Sequence, residues 1–197
     1  MHSYQIDENI NTFKVITGII ISIVLAYILH AILLQWPFLS SWWWLDYPSV
    51  FGFYGIFMGF YNKYFWKSNL VQKLDWLWVP NLAGSWDAEI KTSADQFEVP
   101  RLCKVFIRQT GSKISISLEN ETSISHSIHA AILRVEKLHF HELIFNYLNN
   151  PKGDSAASLH IHYGTAWLRI SDKECDGEYF TGRGRETHGR LKLLNRN

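Results

Sequence analysis

The feature that most constrains this chain is an uncharged apolar run between Val15 and Leu34, which reads VITGIIISIVLAYILHAILL. A run of about 20 such residues is the length that a helix needs to cross the roughly 30 Å of hydrocarbon in a bilayer. A secretory signal peptide is the competing interpretation, but Asp7 and Glu8 precede the run and no small-residue cleavage site follows it. The run therefore predicts a transmembrane helix over residues 15–34.

A second, more aromatic segment, PSVFGFYGIFMGFYNKYFW, predicts another span over residues 48–66. Asp46 precedes Pro48 and suits an N-terminal helix cap at the membrane interface. The loop between the two segments carries Trp36 and the run Trp42–Trp44, whose rings prefer the headgroup level of a bilayer. Together the segments predict a two-helix transmembrane hairpin.

The positions of the lysines predict how this hairpin is oriented. The loop that connects the spans has no Lys or Arg, whereas the outer ends of the spans carry Lys14, Lys63, Lys67 and Lys73. By the positive-inside rule, both termini then lie in the cytoplasm. We therefore expect a multi-pass protein with the lipid bilayer as one of its partners.

Small residues recur at helical spacing on both predicted spans. They are Gly18, Ser22 and Ala26 in the first span, and Gly52, Gly55 and Gly59 in the second. Such faces let helix backbones approach each other closely and pack through van der Waals contact. Two interpretations remain open: the faces pack the two helices of one hairpin, or they also assemble several chains into a homo-oligomer.

From Pro80 onward, acidic and basic residues are mixed and short alternating runs are separated by turn residues. Strands are predicted near residues 85–91, 101–109, 113–118, 122–135, 137–148, 158–171, 178–185 and 190–194, with a hairpin turn at Asp176-Gly177. About eight strands in this length favour a small antiparallel β-barrel, which has no open edge and can enclose a small ligand. A β-sandwich is the alternative.

The predicted organisation is therefore a membrane segment with a connector over residues 1–79 and a cytoplasmic barrel over residues 80–197. The whole chain has a formal charge of only +1. It lacks the basic field that a binder of polymeric nucleic acid needs, so we expect no such partner.

The sequence contains no nucleophile elbow, P-loop, dinucleotide fingerprint or zinc-protease motif. We therefore predict no catalytic residue, no cofactor and no enzyme activity. Two histidine pairs, within residues 139–141 and 160–162, have a spacing that metal-binding barrels use. Because the apolar Phe140 and Ile161 separate the paired histidines, we expect the histidines to face water. A metal-dependent barrel enzyme remains a minor alternative.

A second set of residues combines aromatic rings with guanidinium groups on adjacent strands. Rings can stack on bases, and an arginine fork matches phosphate oxygens two at a time. This chemistry suits a compact, doubly charged nucleotide, and it competes with the interpretation that the rings are core and the arginines a solvated rim. The candidate ligand-binding residues are Tyr163, Trp167, Arg169, Tyr179, Arg183 and Arg185.

Pro80-Asn81-Leu82-Ala83-Gly84-Ser85-Trp86 opens the strand-rich domain, and Gly177-x-Tyr179 and Gly189-Arg190-Leu191 lie near its end. Behind two N-terminal spans, these segments resemble the two-transmembrane, β-strand-rich effectors of bacterial cyclic-oligonucleotide anti-phage signalling (CBASS). The resemblance implies an inner-membrane protein whose barrel binds a cyclic dinucleotide made on infection. The membrane segment then assembles and disrupts the inner membrane, so that the cell dies or stops growing (abortive infection).

The resemblance does not transfer ligand contacts residue by residue. A different function also stays open, in which the barrel is a membrane-tethered, lipocalin-like carrier of an apolar ligand. That alternative predicts an apolar cavity without converging arginines.

Overall fold

The computed structural model describes residues 1–6, 8–35, 46–74, 79–135, 140–153, 160–171, 174–182 and 186–196. Two compact units can be distinguished, one over residues 8–79 and the other over residues 80–197 together with residues 1–7. The boundary at residue 80 coincides with the predicted one. The first residues group with the strand-rich unit, although the sequence placed them in the membrane segment.

Eight antiparallel strands close into a barrel in the order β5-β4-β3-β10-β9-β8-β7-β6, and β6 pairs back onto β5. They are β3 (Gly84–Thr92), β4 (Arg101–Gln109), β5 (Lys113–Glu119), β6 (Ser123–Val135), β7 (Phe140–Pro151), β8 (His162–Ile170), β9 (Cys175–Thr181) and β10 (His188–Arg196). The predicted barrel is confirmed, and the sandwich is excluded because the sheet closes on itself.

The predicted hairpin turn at Asp176-Gly177 is wrong. Both residues lie within β9, where Asp176 pairs with Arg169 and Gly177 with Leu168. The connection lies before β9, where the backbone N–H of Ser171 donates to the carbonyl oxygen of Glu174 at 2.9 Å. Inward-facing Cys175 is fully buried, so its burial fixes a register that the turn propensity of Asp-Gly does not override.

Alternate residues of the strands fill the barrel interior. The buried apolar side chains include Trp86, Ala88, Val105, Ile107, Ile114, Ile116, Ala130, Ile132, Leu143, Phe145, Ala166, Leu168, Leu191 and Leu193. A β-bulge lies between Ser127 and His129, where the register of β6 against β7 shifts. Because one extra residue reverses the alternation, Ser125 faces inward before the bulge and Ala130 after it.

Two short N-terminal strands lie between β5 and β6. Strand β1 (His2–Ser3) pairs antiparallel with β5, and β2 (Gln5–Ile6) pairs in parallel with β6. Strands β5 and β6 pair directly with each other only over Ser117–Glu119 and Ile124–His126. The N-terminal strands therefore fill the part of the barrel wall where β5 and β6 diverge.

The other unit is helical, with α1 (Glu8–Leu34), α2 (Asp46–Lys63) and the short α3 (Asn69–Gln72). Residues Ile10–Leu34 form a helix that is long and apolar enough to cross a membrane, judged by length and composition. This agrees with the first predicted span. Among the described residues α2 does not meet the same criterion, so a hairpin of two spans remains a prediction. The tryptophans of the predicted loop, Trp36 and Trp42–Trp44, lie outside the described residues.

The two small-residue faces have different surroundings within the helical unit. A Cβ at Gly18 would lie 3.1 Å from the rings of Tyr54 and Phe57, so this glycine permits close packing of α1 on α2. Ser22 is fully buried and donates its hydroxyl to the Gly18 carbonyl at 2.6 Å, while Ala26 is half-buried.

The face of α2 that carries small residues is open. A Cβ at Gly52, Gly55 or Gly59 would meet no described atom within 4 Å. The neighbouring Phe51 and Ile56 are 80% and 69% exposed. The first face is therefore packed inside the chain, whereas no described atom packs on the glycines of the second.

Candidate functional site

The barrel has two different ends. The cavity end is formed by the last residues of β3, β5, β7 and β9 and the first residues of β4, β6, β8 and β10. The plugged end is formed by the opposite termini of the same strands. A cavity of about 110 Å³ lies at the cavity end, between the strands.

Both polar and apolar side chains line this cavity. The polar ones are Thr92, Arg101, Asn120, Thr122, Ser123, Ser125, Asn149, His162, Thr181 and Thr187. The others are Ile90, Cys103, Leu118, Phe145, Tyr147, Ala166, Tyr179 and Leu191. So many hydroxyl, amide and imidazole groups fit a polar ligand, and they disfavour the alternative of a lipocalin-like carrier for an apolar one.

At the plugged end the interior is closed by Trp86, which is 2% exposed and donates its ring N–H to the Leu82 carbonyl at 2.9 Å. Gln109 lies beside it and binds three groups. Its Nε2 donates to the Pro80 carbonyl at 3.0 Å and to the Tyr4 hydroxyl at 3.3 Å, and its Oε1 accepts from the Leu82 backbone N–H at 2.8 Å. The side chain of Trp86 is therefore a plug, far from any ligand entrance.

A buried amide stands at the centre of the polar wall. Asn149 is 7% exposed and donates from Nδ2 to the hydroxyl oxygens of Ser123 and Ser125, at 2.9 Å each. These three residues form what we call the Asn149 cluster. The carbonyl oxygen Oδ1 of Asn149 is buried and has no hydrogen-bond partner within the part of the chain that the structure describes.

The turn beneath this cluster is held by another asparagine. Oδ1 of Asn120 accepts from the backbone N–H groups of Thr122 and Ser123, at 2.9 and 2.6 Å. Such side-chain bonding to the following backbone is typical of Asx turns and fixes the tight connection between β5 and β6. The position of Ser123 in the cavity wall follows from this turn.

The expectation that the histidines face water is confirmed for His160, which is exposed, and is wrong for His141 and His162. His162 is 6% and His141 8% exposed, whereas Ile161, which was expected to mark the core side, is 64% exposed. His139 lies outside the described residues. The parity of β7 and β8 is therefore opposite to the one predicted, because Leu143, Phe145 and Leu168 supply the core instead.

His162 faces the cavity in a defined tautomer. Its Nδ1 lies 2.9 Å from the carbonyl oxygen of His160, which can only accept a hydrogen bond. The ring therefore donates from Nδ1, and in the neutral form Nε2 carries a lone pair. Within the described residues no group of three or more His, Cys, Asp or Glu is placed to hold a metal ion.

Cations lie at the rim of the cavity. The Arg101 guanidinium is 3.0 Å from Oδ2 of Asp95, and its side chain is 56% exposed. Lys152 Nζ contacts Glu119 Oε1 and the Asn120 carbonyl oxygen, at 2.8 Å each. Because they are exposed and only partly neutralised, both groups can turn toward an anion at the mouth.

Two further residues of the cavity wall are Cys103 and Tyr147, and the Tyr147 ring lies against Gly164. Burial raises the pKa of the Cys103 thiol to about 12, so this cysteine is an inert wall residue rather than a nucleophile. A Cβ at Gly164 would overlap the phenol of Tyr147 and would lie 2.8 Å from the Phe180 carbonyl oxygen. The absence of a side chain at Gly164 therefore allows the Tyr147 ring to lie in the cavity wall.

The structure separates the six residues that the sequence selected for ligand binding. Tyr179 lines the cavity, while Tyr163, Trp167 and Arg169 point outward from β8. Arg183 and Arg185 lie outside the described residues, between Thr181 and Thr187 in the sequence, and both of those threonines line the cavity.

The outward-facing residues have surroundings that do not suit a dianion. Trp167 and Arg169 border a shallow outer depression together with Glu142, Glu174, Asp176 and Glu178. The guanidinium of Arg169 lies 4.0 Å from the centre of the Phe140 ring, in a cation–π contact. Four carboxylates repel phosphates, so this face is a poorer anion site than the cavity.

A closed barrel with a polar cavity at one end and cations at its rim defines a receptor for a small polar ligand. Residues 77–195 match the family described as Cap15, cyclic dinucleotide receptor domain. The chain is also 31% identical over 143 residues to CD-NTase-associated protein 15 of Yersinia aleksiciae, which covers 71% of this chain and 67% of that protein. The chain belongs to the Cap15 family of CBASS effectors, which confirms the resemblance noted in the sequence.

Sequence reasoning missed most of the residues that line the cavity. Asn149, Ser125 and His162 are polar residues at the ends of otherwise apolar inward rows, such as Leu143-x-Phe145-x-Tyr147 in β7. A polar residue at the end of an apolar row is a signal for a binding site, but it can be recognised only once it is known which residues of the strand face inward.

Proposed function

We propose that this protein is a membrane-bound receptor that binds a cyclic dinucleotide in the cavity and responds by assembling in the membrane and disrupting it. The observation that carries the proposal is the family match, because it covers residues 77–195, nearly all of the eight barrel strands, and the polar cavity lies at one end of that barrel. Ligand binding, and no catalysis, is the role assigned to the cavity. A polymeric nucleic acid is not expected as a partner.

The two phosphates of the ligand lie at the rim in this proposal. Arg101 supplies a guanidinium there, and Arg183 and Arg185 belong to the segment between the cavity-lining Thr181 and Thr187. Arginine forks bind phosphate oxygens through paired, charge-assisted hydrogen bonds. The ring of Tyr179 offers a face on which a base can stack.

The N-terminal strands support a hairpin of two membrane crossings. Because β1 and β2 pair with β5 and β6, the N-terminus belongs on the same side of the membrane as the barrel. A chain that leaves and returns to one side crosses an even number of times. If α1 crosses, a second crossing is needed before Pro80, and α2 is the helix available for it. The lysines outside the spans favour the cytoplasm for both termini.

Assembly in the membrane is assigned to the open face of α2. Since Gly18 and Ser22 pack inside the chain, the face with Gly52, Gly55 and Gly59 is the one left for contact between chains. A ligand drives assembly only by binding the assembled state more tightly than the single chain. Confinement to a membrane raises the effective concentration, so that modest contacts suffice.

Binding is tested by calorimetry of the full-length protein in lipid nanodiscs against cyclic dinucleotides, cyclic trinucleotides and a linear dinucleotide. The full chain is used because residues 80–197 alone would lack β1 and β2. We expect at least one cyclic dinucleotide to bind and its linear counterpart to bind far more weakly. If no cyclic dinucleotide produces heat or a thermal shift, the proposed function is wrong.

Assembly is tested with the double variant Gly55→Leu and Gly59→Leu, in cells that carry the cognate nucleotide cyclase. Leucines on this face keep the helices apart, so we expect loss of ligand-dependent crosslinking between chains and loss of toxicity, with membrane localisation retained. Ile56→Leu is the matched control, because it changes the shape of an exposed side chain on the same helix without blocking the glycines. Unchanged toxicity in the double variant would remove this face from the mechanism.

A further inference from the structure

The Asn149 cluster holds a buried polar atom for which the described part of the chain provides no partner. Both hydrogens of the Asn149 Nδ2 group are engaged by Ser123 and Ser125, at 2.9 Å each. Oδ1 has no partner among the described residues, and the residue is more than nine-tenths buried in the cavity wall. A buried acceptor in this state destabilises the fold, and a hydrogen-bond donor in the cavity would offset that cost.

The carbonyl oxygen of Asn149 determines which kind of ligand group can bind beside it. A carbonyl oxygen accepts hydrogen bonds and repels other acceptors, so a phosphate oxygen cannot occupy this position. The phosphates of a cyclic dinucleotide are therefore directed to the rim, where Arg101 lies. The group that points inward must present a donor, which a base amino group or a ribose hydroxyl can supply.

A second acceptor lies beside the first. His162 pairs directly with Asn149 across β7 and β8, which puts their Cβ atoms about 5 Å apart on the same inner face. With Nδ1 donating to the His160 carbonyl, the neutral ring offers Nε2 as an acceptor. Two neighbouring acceptors match the two hydrogens of one amino group.

Resting on the proposed function, we propose that Asn149, with His162 beside it, selects a nucleobase that carries an exocyclic amino group. Adenine, guanine and cytosine have such a group, and uracil does not. Ser123 and Ser125 act as positioning residues, because they engage the Nδ2 group and so leave the carbonyl oxygen as the acceptor for the base. The rings of Tyr147 and Tyr179 line the same cavity and limit the base to a flat shape.

The test compares ligands that differ by one amino group, by calorimetry of the full-length protein in nanodiscs. Cyclic di-AMP is paired with its analogue in which purine replaces adenine, and cyclic di-GMP with cyclic di-IMP. For the pair that binds, we expect the wild-type protein to favour the amino-bearing member by about 10-fold or more, since the analogue leaves buried acceptors unpaired. In Asn149→Leu the ratio should fall close to one.

Asn146→Leu is the matched control, because Asn146 lies on the same strand but faces outward, where it donates to the Thr165 hydroxyl at 2.7 Å. It should keep the wild-type ratio. The double variant Ser123→Ala and Ser125→Ala releases the Nδ2 donor and should raise the relative affinity of cyclic di-IMP. This second variant keeps the test decisive if Asn149→Leu does not fold.

The outcomes separate the two proposals. If no cyclic dinucleotide binds the wild-type protein, the proposed function fails. If cyclic dinucleotides bind but both members of each pair bind equally, or cyclic di-UMP binds best, the role of Asn149 is overturned while the receptor function stands. Equal weakening of both members of a pair in Asn149→Leu also overturns it, because the residue would then only support the wall.

Discussion

Among the described residues, each end of the barrel contains one buried side-chain amide, and the two differ in their hydrogen bonds. At the plugged end, the Gln109 side chain is fully paired, with Tyr4, Pro80 and Leu82 as its partners. At the cavity end, the Asn149 side chain is paired through its nitrogen, and its oxygen has no partner among the described residues. A fully paired polar group rigidifies a closed interior, whereas a half-paired one keeps an acceptor free, which is the group that we propose for ligand contact.

The largest expected effect is at the plugged end. Trp86→Ala removes the largest buried side chain there and leaves the Leu82 carbonyl without its donor, so we expect a loss of about 3–5 kcal/mol in the free energy of unfolding. Trp167→Ala is the matched control, because Trp167 is 53% exposed on the outer face, and it should cost less than about 1 kcal/mol. Denaturant unfolding of the solubilised protein, followed by circular dichroism, measures both. Equal losses would mean that the plug contributes no special stability.

A smaller effect is expected at alkaline pH, where the free energy of unfolding depends on one buried thiol at each end of the barrel. Burial raises the pKa of Cys103 at the cavity end and of Cys175 at the plugged end to about 12. Because the folded state holds these protons more tightly than the unfolded state, stability is intact below about pH 9 and falls as the pH rises toward 12. Each thiol accounts for about 1.4 kcal/mol per pH unit in that window.

The alkaline loss should be reduced by Cys103→Ala and by Cys175→Ala to a similar extent, as measured by unfolding at pH 8 and pH 10. Burial also raises the pKa of Tyr4 to about 12, so a further loss is expected above pH 10 in both variants. If Cys175→Ala reduces the alkaline loss of stability but Cys103→Ala does not, water reaches Cys103 at the cavity end. The two ends would then differ more in hydration than the burial of their thiols implies.

The smallest expected effect concerns the rim. Arg101→Gln removes a half-exposed guanidinium that already has Asp95 as a partner, so we expect about 5-fold weaker binding of a cyclic dinucleotide and little change in stability. Arg169→Gln, on the acidic outer face, is the control and should leave binding unchanged. Titration at two salt concentrations checks the assignment, because a phosphate contact weakens as salt rises. A larger effect for Arg169→Gln would move the anion site to the outside of the barrel.

The sequence by itself determined the first apolar helix and the run of about eight strands after Pro80. An uncharged run of membrane-spanning length, and the period of two in segments such as Ile114-x-Ile116-x-Leu118, are local properties that need no knowledge of distant residues. The observed β4, Arg101–Gln109, has the predicted bounds for the same reason.

Only the tertiary structure decided which face of each strand is inside. Period-two alternation specifies that two faces exist, but burial against other strands chooses between them, as the reversed assignment of Ile161 and His162 demonstrates. The bulge at Ser127–His129 depends on the pairing of β6 with β7. The insertion of residues 2–6 between β5 and β6 depends on pairings with residues more than a hundred positions away along the chain. The site likewise depends on strand pairing, since Ser125, Asn149 and His162 become neighbours only when β6, β7 and β8 pair.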